Sequence, residues 1–120
     1  MNTNQPWLDS YAPNIPHQID MTEHQSIVSI LDKAIDKYSD RPAFANFGKQ
    51  LTYNEINILS TQFANYLIHE LKLKKGERIA IMMPNVLQNP IATFGALRAG
   101  LTVVKTNPMY TARELKQPLE

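Results

Sequence analysis

With no cysteine in the chain, any chemistry must come from histidines, carboxylates, hydroxyls and amines. Disulfides, thiolate metal sites and a cysteine nucleophile are removed together. His17 and His24 stand seven positions apart in a loop-like stretch. His69 has no ligand-type residue four positions away on its helix. Zinc sites require closely spaced donors, so these histidines are read as structural or solvent-facing. Asp32, Asp36, Glu55 and Glu70 fall on polar helix faces or at caps, which accounts for them without an acid–base role. The serines cluster at caps and polar helix faces, so no Ser-His-Asp arrangement emerges. Lys72, Lys74, Lys75 and Arg78 form a basic cluster, read as a solvated turn entering a strand. So few charges give only marginal attraction to anionic lipid.

A nucleotide site would need a different set of residues. Dinucleotide and phosphate loops use glycines so that the backbone can approach a pyrophosphate. The loop that should follow the first parallel strand reads "MMPNVLQNP", with no glycine and no Gly-Lys-Ser/Thr. Gly48, Gly76, Gly95 and Gly100 are instead assigned to a turn, a turn, a helix contact and a helix cap. The expectation is that residues 1–120 contain no catalytic, cofactor-binding or metal-ligating residue.

The elements that would position such residues can be read in order. Residues 1–24 form an irregular arm punctuated by Pro6, Pro13 and Pro16, each of which disfavours helix at the residue before it. Trp7, Leu8, Tyr11 and Ile15 give the arm an apolar character, so it is expected to lie against another surface. From Ser26 the apolar positions Ile27, Ile30, Leu31, Ala34 and Tyr38 mark one stripe of a helix that stops before Pro42. "AFANFGKQLT" reads as a hairpin turning at Gly48-Lys49. Thr52 and Glu55 form a capping box opening a helix whose buried face is Ile56, Leu59, Phe63, Tyr66 or Leu67, and Leu71. Phe44, Phe47, Tyr53, Phe63 and Tyr66 are all assigned to the core.

The second half reads as a strand, a helix and a strand. Arg78 to about Met83 predicts a strand buried on both faces. Asn89-Pro90 suits a helix start, with an earlier turn from Asn85 as the alternative, and Gly100 suits the left-handed position after a helix end. "LTVVKTN" predicts the second strand, parallel to the first. Thr111 and Glu114 open one more helix, with Pro118 set awkwardly inside it. Two parallel strands do not complete an α/β domain, so the expectation is a fold incomplete as given.

Bulk properties exclude further classes. At 120 residues the chain is of single-domain size. Its 43% hydrophobic content argues against wholesale disorder, and its formal charge of +1 offers no footprint for nucleic acid. The opening "MNTNQPWLDS" lacks the basic and apolar regions of a secretory signal. The longest apolar run, Ile79–Met83, is far below the ~20 residues that span a bilayer.

The motifs "LTYNE", "KKGERIAIMMPN", "GALRAG" and "NPMYTAREL", in that order, resemble the amino-terminal part of adenylate-forming acyl-CoA synthetases. The likeness runs from about Trp7 to Lys116 and is nearest to bacterial long-chain-fatty-acid–CoA ligases. It implies an α/β fold, the opening portion of the large domain of an adenylate-forming enzyme: helices, a short hairpin and one parallel βαβ unit. With the arm read from its prolines at 1–24, the resemblance makes residues 25–120 the first part of that large domain. The implied parent activity converts fatty acid, ATP and CoA, with Mg²⁺, to acyl-CoA, AMP and pyrophosphate through an acyl-adenylate. The phosphate loop, adenine-binding segments, metal-binding glutamate and catalytic lysine of such enzymes all lie downstream, so no cofactor is expected to bind this segment. The implied partners are fatty acid, ATP, CoA and the rest of the large domain. A cytoplasmic parent with peripheral contact at the inner membrane face is likewise expected. The apolar arm adds the expectation of a homodimer contact. Another adenylate-forming ligase (short-chain, aryl or acyl-AMP) and a standalone interaction module are the alternatives. Lys105 departs from the asparagine common in such ligases and is read as a surface change.

Overall fold

The structure, a computed structural model, describes residues 5–120. A short 3₁₀ turn spans Pro6–Ser10, and helix α1 spans Ile27–Tyr38. Strands β1 (Pro42–Asn46) and β2 (Lys49–Thr52) form an antiparallel hairpin. Helix α2 covers Tyr53–Asn65 and runs into a π-type turn at Tyr66–Glu70. Strand β3 (Arg78–Ile81), helix α3 (Gln88–Arg98) and strand β4 (Thr102–Lys105) follow, then helix α4 (Ala112–Leu119). The result is a mixed α/β arrangement with two separate two-stranded sheets, one antiparallel and one parallel.

Local chemistry sets several boundaries where the sequence places them. Thr52 accepts from the Glu55 backbone N–H at 3.1 Å, and the Glu55 carboxylate accepts from the Thr52 N–H at 2.8 Å. Helix α3 ends in a Schellman motif: Leu101 N–H donates to the Ala96 carbonyl, and Gly100 N–H to that of Leu97, both at 3.0 Å. Gly100 has φ +77°, which glycine adopts without strain. Strands β3 and β4 are parallel, pairing Arg78 with Thr102 and Ile81 with Lys105.

Two small cores share helix α2. Leu31, Ile35 and Ile56 form one, with Ala43, Leu51, Tyr53, Ile91 and Phe94 packed around it. Ala64, Leu67, Ala96, Ala99 and Leu101 form the other, joined by Phe63, Leu73, Ile79 and Val103. Full burial of Ile56 or Leu67 contributes roughly 1.5–3 kcal/mol each. Helices α2 and α3 approach so closely that a Cβ on Gly95 would sit 2.9 Å from the Ser60 carbonyl oxygen.

Several expectations are corrected. The buried stripe of α1 holds Leu31 and Ile35, while Ile27 and Ile30 face outward. The hairpin turns at Phe47-Gly48, one residue earlier than expected, and both residues have positive φ (47° and 76°). A two-residue primed turn requires that geometry because it matches the twist of the strands. Phe47 is therefore at the tip, 94% exposed, and is no core residue; Phe44 and Tyr66 are also exposed. In the π-type turn that continues α2, Leu67 and not Tyr66 is buried, and on α2 itself the fully buried Ser60 faces Gly95. The π-type turn, closed by Leu71 N–H on the Tyr66 carbonyl, leaves Leu71 half-exposed.

Strand β3 stops at Ile81 before Met83, and one of its faces is open at Ala80. Helix α3 starts at Gln88 with Leu87 as its cap, so Pro90 falls in the first turn, where no intrahelical N–H is lost. In the arm, Trp7 is 53% exposed and Tyr11 and Ile15 are exposed too, so the body of the chain does not cover them. The described chain is extended, with a radius of gyration of 18.0 Å. A compact chain of this length would have about 13.6 Å.

Candidate functional site

The parallel strands β3 and β4 deliver their carboxyl ends to the same side, and a groove of about 1010 Å³ opens there. Ligands in α/β proteins bind characteristically at such strand ends. One wall is the β3–α3 loop with the first turns of α3, and another is the stretch from Thr106 to Tyr110. Residues Phe44–Asn46 of the hairpin close the third side. Phe44, Ile81, Met83, Val86 and Phe94 make the groove largely apolar.

Its polar groups form one connected set. Lys105, the last residue of β4, donates through Nζ to Asn89 Oδ1 and to Thr93 Oγ1, both at 2.5 Å. With its oxygen so engaged, the Asn89 amide turns Nδ2 toward the Met83 and Pro84 carbonyls at 3.3 and 3.2 Å. Thr93 Oγ1 also donates to the Asn89 carbonyl at 2.8 Å. Across the groove, Asn46 Nδ2 donates to the Asn85 carbonyl at 2.8 Å, fastening the hairpin to the β3–α3 loop. Lys105 is exposed as a residue, and only the partial desolvation of its ammonium moves its pKa below the usual lysine value.

The far wall is built by successive short-range bonds. Thr106 is buried, and its N–H donates to the Ile81 carbonyl at 3.0 Å. Asn107 Oδ1 accepts from Met109 N–H at 2.9 Å, bending the chain toward α4. Thr111 N–H donates to Glu114 Oε2 at 2.8 Å, and Thr111 Oγ1 accepts from Glu114 N–H at 3.4 Å. The Thr111 backbone N–H, and after it the Thr111 hydroxyl, hold the Glu114 carboxyl below its ordinary pKa.

The residues weighed from sequence are not brought together. His17 packs edge-on against Tyr11 at 5.9 Å, His24 lies 3.6 Å from Glu23, and His69 is in the π-type turn. Among the described residues no three histidine or acidic side chains converge on a metal position. Lys72, Lys74 and Lys75 precede β3, at the opposite strand ends from the groove. Asp32 is not simply solvated: it accepts from Arg98 Nη2 at 2.9 Å. Arg98 also donates to Asn57 Oδ1 at 3.1 Å and, through Nε, to Ser60 Oγ at 3.2 Å. Sequence reading passed over Arg98 and Thr93, took Asn89 for a helix start alone, and read Lys105 as a surface change; Lys105 is indeed exposed, but its bonds to Asn89 and Thr93 were not foreseen. The one available signal was a lysine closing an otherwise apolar strand.

Comparison with known proteins follows the same outline. A family profile described as AMP-binding enzyme matches residues 31–120. A long-chain-fatty-acid–CoA ligase of Escherichia coli O157:H7 is 46% identical over 113 residues, covering 94% of this chain and 20% of the ligase. The corresponding ligase of Bacillus subtilis strain 168 is 37% identical over 119 residues, covering 99% of this chain and 21% of the ligase. The chain thus spans about a fifth of the length of the curated relatives it matches. Among solved structures, the Klebsiella oxytoca NpsA N-terminal subdomain in complex with 3-hydroxyanthranilyl-AMSN superposes with a TM-score of 0.75. That match is 21% identical and covers 80% of this chain and 24% of the other, which speaks to fold alone.

Proposed function

Because the chain belongs to the AMP-binding enzyme family, we propose that it is the opening part of the large domain of a long-chain-fatty-acid–CoA ligase. The observation that carries the reading is the 46% identity to such ligases across 94% of the chain. The proposed parent joins a fatty-acid carboxylate to ATP, releasing pyrophosphate, and the CoA thiol then displaces AMP from the acyl-adenylate. Residues 1–24 are the arm and residues 25–120 the first large-domain segment of that reading.

The contribution of this segment is scaffolding. The loop after β3 carries no glycine, and no acidic cluster among the described residues suits Mg²⁺. These residues do not fit ATP or Mg²⁺, and no catalytic step is assigned to them. ATP, Mg²⁺ and CoA belong, on this reading, to the parent enzyme outside the segment. No helix among the described residues is long and apolar enough to cross a membrane. A cytoplasmic parent, with peripheral contact at the inner membrane face and pairing through the exposed Trp7 arm, completes the proposal.

The test is release of AMP and pyrophosphate by the polypeptide whose reading frame contains these 120 residues. Palmitate should stimulate release in the presence of ATP, Mg²⁺ and CoA, whereas acetate and benzoate should not. Residues 1–120 alone should give no turnover. Preference for acetate or benzoate would move the parent to another adenylate-forming ligase. No acid-dependent release at all would favour a standalone interaction module.

A further inference from the structure

The β1–β2 hairpin closes one side of the groove through Phe44–Asn46, yet it is fastened there at a single point. Its base is held by packing: Ala43 and Leu51 lie against the core of Leu31, Ile35 and Ile56. Beyond that base, residues 44–50 are exposed except for the half-buried Asn46. Asn46 Nδ2 donates to the Asn85 carbonyl at 2.8 Å. Among the described residues, no other hydrogen bond joins residues 44–50 to the chain outside the hairpin. The strand pairing shifts register between Pro42 and Phe44, so Ala43 is an extra residue in β1. Such a bulge interrupts the ladder and lets the strand bend. Beyond it, the primed turn at Phe47-Gly48 keeps the two strands paired.

From this geometry we propose that the hairpin is a hinged flap on the groove, pivoting at the Ala43 bulge and latched by Asn46 on the Asn85 carbonyl. Opening keeps the β1–β2 ladder, gives up the Asn46 bond and uncovers the side of the groove that Phe44–Asn46 line. Asn85 is exposed, so both halves of the parted latch turn to water. The net loss on opening is then that of one neutral hydrogen bond. An equilibrium set so lightly belongs to local opening, far below the energy of unfolding. The flap governs access to the strand-end groove from the hairpin side. This holds whatever the groove accommodates and does not rest on the ligase reading.

The test reads access in the polypeptide whose reading frame contains these residues. Residues 1–120 hold no cysteine, so Val86→Cys puts a single thiol among them, on the groove wall next to Asn85. Its alkylation by iodoacetamide is followed by mass spectrometry on the peptide that carries it. Asn46→Ala removes the latch, and Asn46→Asp keeps its size without the amide donor. Each should speed alkylation about three- to tenfold, the shift expected when one hydrogen bond is lost. Urea well below the unfolding midpoint should leave the rate almost unchanged, because a swinging hairpin exposes little new surface. Amide exchange should show the β1–β2 ladder as protected in both variants as in the unsubstituted protein. Rates unchanged by either substitution would overturn the proposal. So would a rate that climbs steeply with urea, which marks unfolding, or a ladder that loses protection, which marks fraying. If neither Asn46 variant folds, the urea dependence of alkylation in the Val86→Cys protein decides alone.

Discussion

Arg98 Nη2 donates to Asp32 Oδ1 at 2.9 Å, joining side chains 66 positions apart. The Arg98 side chain is only 17% exposed, whereas Asp32 is 51% exposed. The two ends of this pair should therefore respond unequally to substitution. Arg98→Met removes the donor to Asp32, Asn57 and Ser60 together and should cost about 2–3 kcal/mol. Asp32→Asn should cost less than about 1 kcal/mol, because an exposed carboxylate gains little from pairing. Urea midpoints read both, and equal losses would contradict the ranking.

Gly95→Ala tests the approach of α2 to α3. Its new Cβ would meet Phe63 Cδ1 at 2.8 Å and the Ser60 carbonyl oxygen at 2.9 Å. The ring can rotate, but the carbonyl belongs to a helix backbone. The expected loss is about 1–3 kcal/mol by thermal or urea unfolding. Gly100→Ala should cost about 1–2 kcal/mol for a different reason, its φ of +77°.

Phe47→Asn should stabilise the protein by roughly 0.5–1 kcal/mol. Phe47 holds φ +47° at the hairpin tip and is 94% exposed, so asparagine relieves backbone strain without removing packing. A lower urea midpoint in this variant would show that the ring makes a contact that offsets its strain.

Glu114 gives helix α4 a predictable pH response. Its carboxyl pKa is lowered by the Thr111 N–H and then by the Thr111 hydroxyl. The cap is therefore at full strength above the ordinary glutamate pKa and is lost as the pH falls through the lowered value. Backbone chemical shifts of Ala112–Leu119 should show this acid fraying. Glu114→Gln should flatten the profile, since an amide oxygen still accepts from Thr111. Thr111→Ala should weaken the same helix by about 1 kcal/mol, and by more above the glutamate pKa than below it, because the hydroxyl also donates to the ionised Glu114 carboxylate.

Local rules made much of this fold legible. Capping boxes at Thr52 and Thr111, the Schellman glycine Gly100 and the parallel β3–β4 pair each depend on residues close in sequence or on element order. The illegible features depend on distant pairings. Ser60 is buried because Gly95, 35 positions later, lets two helix backbones meet. Phe47 looks like core by its aromatic ring, yet the turn geometry assigns it to the tip. Leu71 continues the helical stripe by spacing, but a turn of wider pitch at Tyr66–Glu70 shifts its phase. Lys105 carried charge in plain view, while its partners Asn89 and Thr93 were visible only once β4 lay beside α3.

The extended outline has a thermodynamic consequence. The chain exposes 9482 Å². A compact monomer of 13.7 kDa would expose about 6,600 Å². The surplus, about 2,900 Å² on this one chain, exceeds the roughly 800 Å² per partner of a standard-size interface. Folding is then linked by mass action to whatever covers that surface, and the unfolding midpoint should rise with its concentration.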